Sequence, residues 1–327
     1  MMNNNFGQGR NIVTKEVNDN NVWFLKKTLS GEQSDRLRRF ENLLKWEQIV
    51  EALNFSDSPK IVKYNKDDST IIYEYIKDSK SLQDEISNDR QNELDLITKA
   101  TKILTKLHQI DYLKYDFKLR YQEGLGKNYL DILKFMDIRN YCYCTGAELE
   151  AFSLLQKDLE FLKIVTEIRG TYQPNRLCIV HGDMRLDQFL VDSRNKLWII
   201  DFEEIKIGDI YEDIANLLAS ILFDCLLKIF SSSELGNDGD INEEIQRLGK
   251  LYLPDVKIKL SKIIEIYNNN LEVNINILDL HFYIGLFIIE RIISRAKLSF
   301  RLSSIDKALM GIGRGIVVNP NILKEFV

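Results

Sequence analysis

Proline is scarce in this sequence, with 4 in 327 residues, and glycine is modest at 16. With 45% apolar and 28% charged residues, that scarcity excludes an extended disordered chain and leaves a packed, helix-rich globule. The 4 cysteines, Cys142, Cys144, Cys178 and Cys225, include no CxxC pair. They suit neither a disulfide framework nor a usual zinc spacing, so reduced thiols and a cytoplasmic setting are expected. Cys142 and Cys144 in YCYC are expected to pack as small apolar groups. A surplus of basic charge is also missing. The 44 basic and 49 acidic residues are interspersed and leave a net charge of −5, which excludes a dedicated nucleic-acid surface and makes any phosphate binding local. The opening MMNNNFGQGRN lacks a basic region followed by an apolar stretch, so no signal peptide is expected. The longest apolar run, Phe282 to Ile289, falls short of the ~20 residues of a membrane span and ends at Glu290 and Arg291. It reads as a buried helix segment, with no membrane as partner.

What is present divides into two regions. Residues 12–17 and 22–27 predict a hairpin around the Asn-rich turn 18–21, residues 30–53 a helix, and residues 61–64 and 70–75 two further strands. This β-β-α-β-β order makes residues 1–76 a small sheet domain with one helix. Residues 77–327 then turn helical, with periodic stretches at 81–110, 146–168, 211–231, 255–270 and 277–299. The fold class expected is α+β. Trp23, Trp46 and Trp198 are read as core residues, and the polar stretch Ser231 to Asn242 as a surface loop.

The helical region is interrupted once. Two apolar runs, LCIV and KLWIID, bracket HGDMRLDQFLV, a polar loop presented by short strands. Asp183 and Asp201 lie at strand ends 18 positions apart. A carboxylate at a buried strand end is costly unless a cation or substrate occupies it. Phosphoryl transfer needs such a pair, one carboxylate for the attacking hydroxyl and one for the metal that neutralises the phosphates. A structural hydrogen-bond network capping the strands is the alternative.

HGDMRLDQ at 181–188, followed by IIDFEE at 199–204, resembles the signature of the aminoglycoside phosphotransferase and choline kinase group. Gly208, Asp209, Asp213 and Ala215 in GDIYEDIANLL and the pair Leu107 and His108 extend the resemblance over most of the chain. It implies a two-lobed protein-kinase-like fold and an ATP- and magnesium-dependent kinase acting on a hydroxyl. It implies Asp183 as the catalytic aspartate, Asp201 as the principal magnesium ligand and His181 as a structural brace. Gln188 stands where the group has asparagine as second metal ligand, and its extra methylene displaces the oxygen by about a bond length, against the strict octahedral preference of magnesium. Arg185 is placed to reach the transferring phosphate, with a salt bridge to Asp187 or Glu203 as the other reading.

For the nucleotide, the resemblance implies a phosphate-contacting lysine at the end of VWFLKK, paired with a helix glutamate. Lys26 is preferred to Lys27 because it shares a strand face with Val22 and Phe24, and Glu41 is preferred to Glu47. Gly7 and Gly9 in FGQGRN suggest a nucleotide-covering loop, although turn chemistry explains them equally. YEYI, with Glu74 and Ile76, is the expected hinge whose backbone meets adenine.

Three pieces, GRN near the start, SGEQSDRLRRFENLL, and HGDMRLDQFL with IDFEE, look like the kinase subunits of class V lanthipeptide synthetases. That closer resemblance implies Ser or Thr of a ribosomally made precursor peptide as acceptor and a separate lyase protein as partner. Two other readings stand beside it. One is a small-molecule kinase such as an antibiotic phosphotransferase, with the acidic run Glu234 to Glu244 as a cationic-acceptor site. The other is a non-catalytic kinase-fold binding protein.

Overall fold

The structure is a computed structural model that describes residues 11–17, 23–88, 92–115, 117–121, 128–234 and 240–326. The expected turn at 18–21 and the loop glycines Gly7 and Gly9 lie outside the described residues.

The N-terminal elements follow the expected order. Strands β1 (Ile12–Val17) and β2 (Trp23–Thr28) precede helix α1 (Gln33–Leu53), and β3 (Ile61–Asn65) and β4 (Thr70–Glu74) complete a four-stranded antiparallel sheet of order β1-β2-β4-β3. In this register Lys27 lies opposite Val13 on one side and Ile71 on the other, so its side chain shares the face of Leu25 and Tyr73. On α1, Phe40, Leu43, Trp46, Ile49 and Val50 form the buried stripe, and Asn54 ends the helix in the left-handed conformation.

Next come β5 (Lys80–Ser81), α2 (Leu82–Asn88) and α3 (Glu93–His108), followed by α4 (Asn128–Lys134), α5 (Ile138–Tyr143), α6 (Gly146–Lys157) and α7 (Leu159–Thr171). The interrupting segment then supplies β6 (Leu177–Val180), β7 (Phe189–Val191), β8 (Leu197–Ile199) and β9 (Lys206–Asp209). β7 and β8 form a hairpin extended by β5, and β6 pairs with β9. The chain ends in α8 (Ile210–Glu234), α9 (Ile241–Leu271), α10 (His281–Ala296) and α11 (Ser304–Val318).

The chain divides into two compact units: Met1–Tyr121 with Cys178–Gly208, and Gln122–Leu177 with Asp209–Val327. The expected boundary at residue 76 falls inside the first unit, because the β7–β8 hairpin is bonded to the segment before β3. Ile199 N donates to Asp57 O at 2.7 Å and Lys196 Nζ to Ser56 O at 2.8 Å. Both carboxylates singled out in the sequence therefore belong to the same unit as the small sheet.

In the second unit α10 packs against α8 and α11. Phe282 to Ile289 is buried throughout, as its apolar run predicts. Helix α8 is long and apolar enough to cross a membrane by length and composition, yet 67% of its apolar window is buried inside the fold. Helix α9 starts at Ile241 and runs through Pro254, so it is longer than the expected 255–270 segment. The expected surface loop shrinks correspondingly, since Ser231 belongs to α8 and Asn242 to α9.

Four expected core side chains are not buried. Trp23 is 46% exposed, Cys142 is exposed, and Cys144 and Trp198 are half-buried, whereas Trp46 is buried. Trp23 begins a strand of a sheet face left partly open, and α5, which carries Cys142, buries none of its residues.

Helices α10 and α11 meet at a glycine pair. A Cβ on Gly285 would sit 2.6 Å from Gly313 O, and one on Gly313 would sit 2.9 Å from Gly285 O. Backbone packs on backbone there, so Gly285→Val must spread the two helices. It is expected to destabilise by about 2 kcal/mol, read as a lower midpoint in thermal or denaturant unfolding; an unchanged midpoint would exclude the close crossing.

Candidate active site

The site is built from three pieces of the first unit: β2, the loop between β6 and β7, and the turn after β8. Strand β8 delivers the chain to Asp201, which adopts a left-handed backbone with φ 70° and ψ 51° and opens a 3-10 turn, Phe202–Glu204. A non-glycine residue held there stores strain of a kind found at functional sites. Phe202 anchors the turn by stacking on Trp46 of α1, with ring centroids 3.6 Å apart, and lies 4.7 Å from the His181 ring.

The loop that carries Asp183 is fastened to the same strand end. His181 Nδ1 accepts from Asp183 N at 3.3 Å, which leaves Nε2 to donate to Ile200 O at 2.8 Å. This pairing corresponds to the Nε2–H tautomer. Gly182 has φ 82°, and a Cβ there would lie 2.5 Å from Glu204 O, so no other residue fits without moving the loop. Gln188 closes a 3-10 turn, Leu186–Gln188, and its backbone carbonyl accepts from Ile200 N at 3.0 Å. Since Phe189 pairs with Ile199, Gln188 lies opposite Ile200, next to Asp201. Its side chain is buried, at 4% exposure.

Asp183 faces Arg185. The guanidinium Nη1 donates to both Asp183 oxygens at 2.8 and 2.9 Å, while Nε and Nη2 donate to Asp187 at 2.8 and 3.2 Å. Burial alone would lower the guanidinium's affinity for its proton, but the charges of Asp183 and Asp187 outweigh it and hold Arg185 cationic. The salt bridge to Asp187 weighed from the sequence is present, together with one to Asp183.

Of the two lysines weighed, the structure brings Lys27 to the carboxylates and turns Lys26, the preferred one, away from them. Lys27 is buried, its Nζ donates to Asp201 Oδ1 at 2.7 Å, and it also pairs with Glu203 Oε1. Lys26 points to the other sheet face, where it meets Glu16 at 3.2 Å, a diagonal neighbour across the β1–β2 ladder. Burial works to depress the Lys27 ammonium, but the charges of Asp201 and Glu203 prevail and raise it, so the cation persists. Burial likewise tends to raise Asp201, and Lys27 more than compensates, holding the carboxyl below its usual range.

Glu41 is not brought to this cluster: it is exposed on α1. Glu47 accepts from Ile61 N at 3.0 Å, an anchor for β3. The face that α1 turns inward carries Arg39 and Asn42 instead. Arg39, with no exposure, donates to Glu203 Oε2 at 2.8 Å, and Asn42 Nδ2 donates to Glu203 O at 2.7 Å. Asn11 Nδ2 donates to Glu203 Oε1 at 2.6 Å. Sequence reading missed Glu203, Arg39, Asn42 and Asn11 in these places; the buried IIDFEE run was the available signal for Glu203, whereas nothing local distinguishes Arg39 from the half-exposed Arg38.

Toward the other end of the sheet, Glu74 closes β4 and Ile76 follows it. Glu74 N donates to Lys60 O at 3.1 Å, and Ile76 O accepts from Ser79 Oγ at 2.9 Å. Lys15 places its ammonium over the Tyr75 and Trp23 rings, 4.1 and 4.4 Å from their centroids.

Several solved structures share this fold at low identity. Choline kinase LicA from Streptococcus pneumoniae superposes with a TM-score of 0.53 and 13% identity, covering 95% of this chain and 90% of that one. For the Plasmodium vivax ethanolamine kinase the values are 0.56, 16%, 99% and 82%. For amicoumacin kinase hAmiN, solved with AMP-PNP, Ca2+ and amicoumacin, they are 0.54, 11%, 96% and 87%. This is the kinase-like fold that the motifs imply. A search among curated protein sequences gives no match. The sequence model of the phosphotransferase enzyme family, APH, aligns with residues 7–227, a span that contains Lys27, Asp183 and Asp201 and exceeds half the chain. On that match the chain belongs to the APH phosphotransferase family and is a kinase.

Proposed function

We propose that the chain moves the γ-phosphate of ATP to an alcohol hydroxyl of a small molecule, with magnesium as cofactor. The observation that carries this reading is the arrangement of two carboxylates around one strand end, Asp201 on the Lys27 ammonium at 2.7 Å and Asp183 on the loop held by His181.

The donors present fit magnesium. Asp201 already receives a cation, the Lys27 ammonium, and Gln188 is its neighbour across the hairpin. Among the described residues no group of three or more His, Cys, Asp or Glu could hold a metal. Magnesium takes one or two protein ligands and fills its octahedron with phosphate oxygens and water. Asp201 and Gln188 would hold it, and it would supply charge neutralisation on the phosphates. Lys27 adds a fixed positive charge beside Asp201. Asp183 accepts the proton of the acceptor hydroxyl or orients it, and Arg185 fixes the carboxylate's direction beforehand.

Two solved neighbours with this fold bear the names choline kinase and ethanolamine kinase, and a third was solved with amicoumacin; these names support a small-molecule acceptor. The bound AMP-PNP in the amicoumacin kinase and the AMP in a LicA complex support an adenine nucleotide. The precursor peptide and the lyase partner rest on the sequence resemblance alone. The acidic stretch once weighed as a cationic-acceptor site has Asp240 capping α9 and Glu244 paired with Arg247 at 2.7 Å, which is ordinary helix chemistry. Mass spectrometry of products from a panel of amino-alcohols, aminoglycosides and Ser/Thr peptides decides the acceptor class; phosphorylation of the peptides alone would overturn the small-molecule reading.

Asp201→Ala is expected to abolish magnesium-dependent nucleotide binding, whereas Asp183→Asn keeps ATP affinity and lowers turnover about 10²-fold or more. Calorimetry and single-turnover assays separate the two, and full turnover in either variant would make these carboxylates structural. Lys27→Met is expected to lower kcat/KM for ATP about 10²-fold, with Lys26→Met near wild type; the reverse order would restore Lys26. At position 188 the side chains discriminate ligand from filler. Gln188→Asn is expected to keep activity and Gln188→Leu to raise the magnesium requirement, measured by magnesium titration of turnover at saturating ATP. An unchanged titration in the leucine variant would remove Gln188 from the metal.

A further inference from the structure

Helix α1 supplies no carboxylate to Lys27. Its buried, inward-facing cation is Arg39, with no exposed surface, so two positive side chains converge on one water-poor place. Two such charges repel and both resist desolvation unless an anion lies between them. Glu203 is that anion. Its Oε1 meets Lys27 Nζ and its Oε2 accepts from Arg39 Nη1 at 2.8 Å, while only 5% of the residue is exposed. Asn11 Nδ2 donates to the Lys27-facing oxygen at 2.6 Å, Asn42 Nδ2 holds the Glu203 carbonyl at 2.7 Å, and Arg39 Nε is steadied by Asp35 at 3.0 Å. Asp201 also binds Lys27, but it is the residue assigned to metal. Glu203 gives its two oxygens to protein cations and sits two residues further on.

We propose that Glu203, from the turn that follows Asp201, is the positioning residue that aims Lys27 at the nucleotide phosphates, and that Arg39 of α1 positions Glu203 in turn. This rests on the reading of the site as an ATP site. It differs from the lysine–helix-glutamate pairing that the sequence resemblance implies, because here the carboxylate travels with the metal-binding segment and α1 contributes its countercharge.

The test compares Glu203→Gln with Glu41→Gln in the full chain. Steady-state kinetics with ATP varied are expected to show a rise in KM for ATP of about tenfold or more for Glu203→Gln, the factor of a lost charge-assisted hydrogen bond. Glu41→Gln is expected to stay within about twofold, as for an exposed charge. Arg39→Gln should follow Glu203→Gln in direction. A purely structural role for Glu203 would lower the melting temperature and the active fraction but leave KM unchanged, and that result overturns the proposal, as does a larger effect at Glu41. If Glu203→Gln does not fold, Glu203→Asp, which keeps the charge and shortens its reach, must give the intermediate KM. A second measurement needs no nucleotide: acetylation of Lys27 by acetic anhydride at mildly alkaline pH, read by mass spectrometry. Removing one of the two carboxylates that fix the buried ammonium in place frees it to reach the reagent, so Lys27 in Glu203→Gln is expected to label several-fold faster; equal labelling overturns the contact. Failure of the wild-type chain to bind magnesium–ATP would instead overturn the proposed function, and the labelling would still decide whether Glu203 holds Lys27.

Discussion

A lysine ammonium buried on an inner strand of a small sheet needs negative charge within a few ångströms, and in this chain that need organises everything around it. Lys27 finds its countercharge on the segment that follows β8, in Asp201 and Glu203. Because two carboxylates in one place also require balance, α1 brings Arg39 to Glu203 and Arg38 to Glu204, the latter at 2.7 Å. Charge therefore alternates from strand to turn to helix. Each link is worth little if exposed, but a buried link cannot be removed singly without leaving an unpaired ion. The Trp46–Phe202 stack lies beside this alternation in the first unit.

The same logic separates two kinds of acid in the molecule. Asp183 and Asp201 are about half and a third accessible, at 44% and 31% of their side-chain surface, which suits groups that must meet a ligand. Asp209 in the second unit is buried and occupied, accepting from Asn175 Nδ2 at 3.1 Å and from the Tyr172 and Tyr283 hydroxyls at 3.3 and 3.2 Å. Burial, with Asp209 adding to it, pushes both phenols up, so they remain donors. An acid so thoroughly satisfied stabilises the start of α8 and has no capacity left for chemistry.

Much of this was legible in the sequence. Period-two strands, the 3.6-residue helices and the polar loop between apolar runs located the elements, and the HGD and IID motifs located Asp183 and Asp201 without three-dimensional information. The sequence was less informative where a choice of face was needed. In WFLKKT either lysine ends an amphipathic strand, and only the pairing with β1 and β4 reveals that the Leu25 face is the buried one. In RLRRFENLL an acid was sought because helices of this kind carry one. A buried arginine is improbable on composition alone and becomes reasonable only when Glu203 is seen opposite it. Asn11, Arg39 and Glu203 come from the three sequence pieces grouped in the closer resemblance, so the grouping marks one spatial cluster.

The peptide unit around Ile200 has one further consequence. Its carbonyl receives His181 and its amide serves Gln188, so the loop bearing Asp183 and the turn bearing Asp201 are surveyed from the same benchmark. Gly182 is pressed on the Glu204 carbonyl, so at that point the loop and the turn meet without a side chain of the loop residue between them. Thermal displacement of the benchmark then carries both carboxylates in the same direction. Their separation fluctuates less than either position does, and it is separation, rather than absolute place, that an in-line transfer between two bound groups demands.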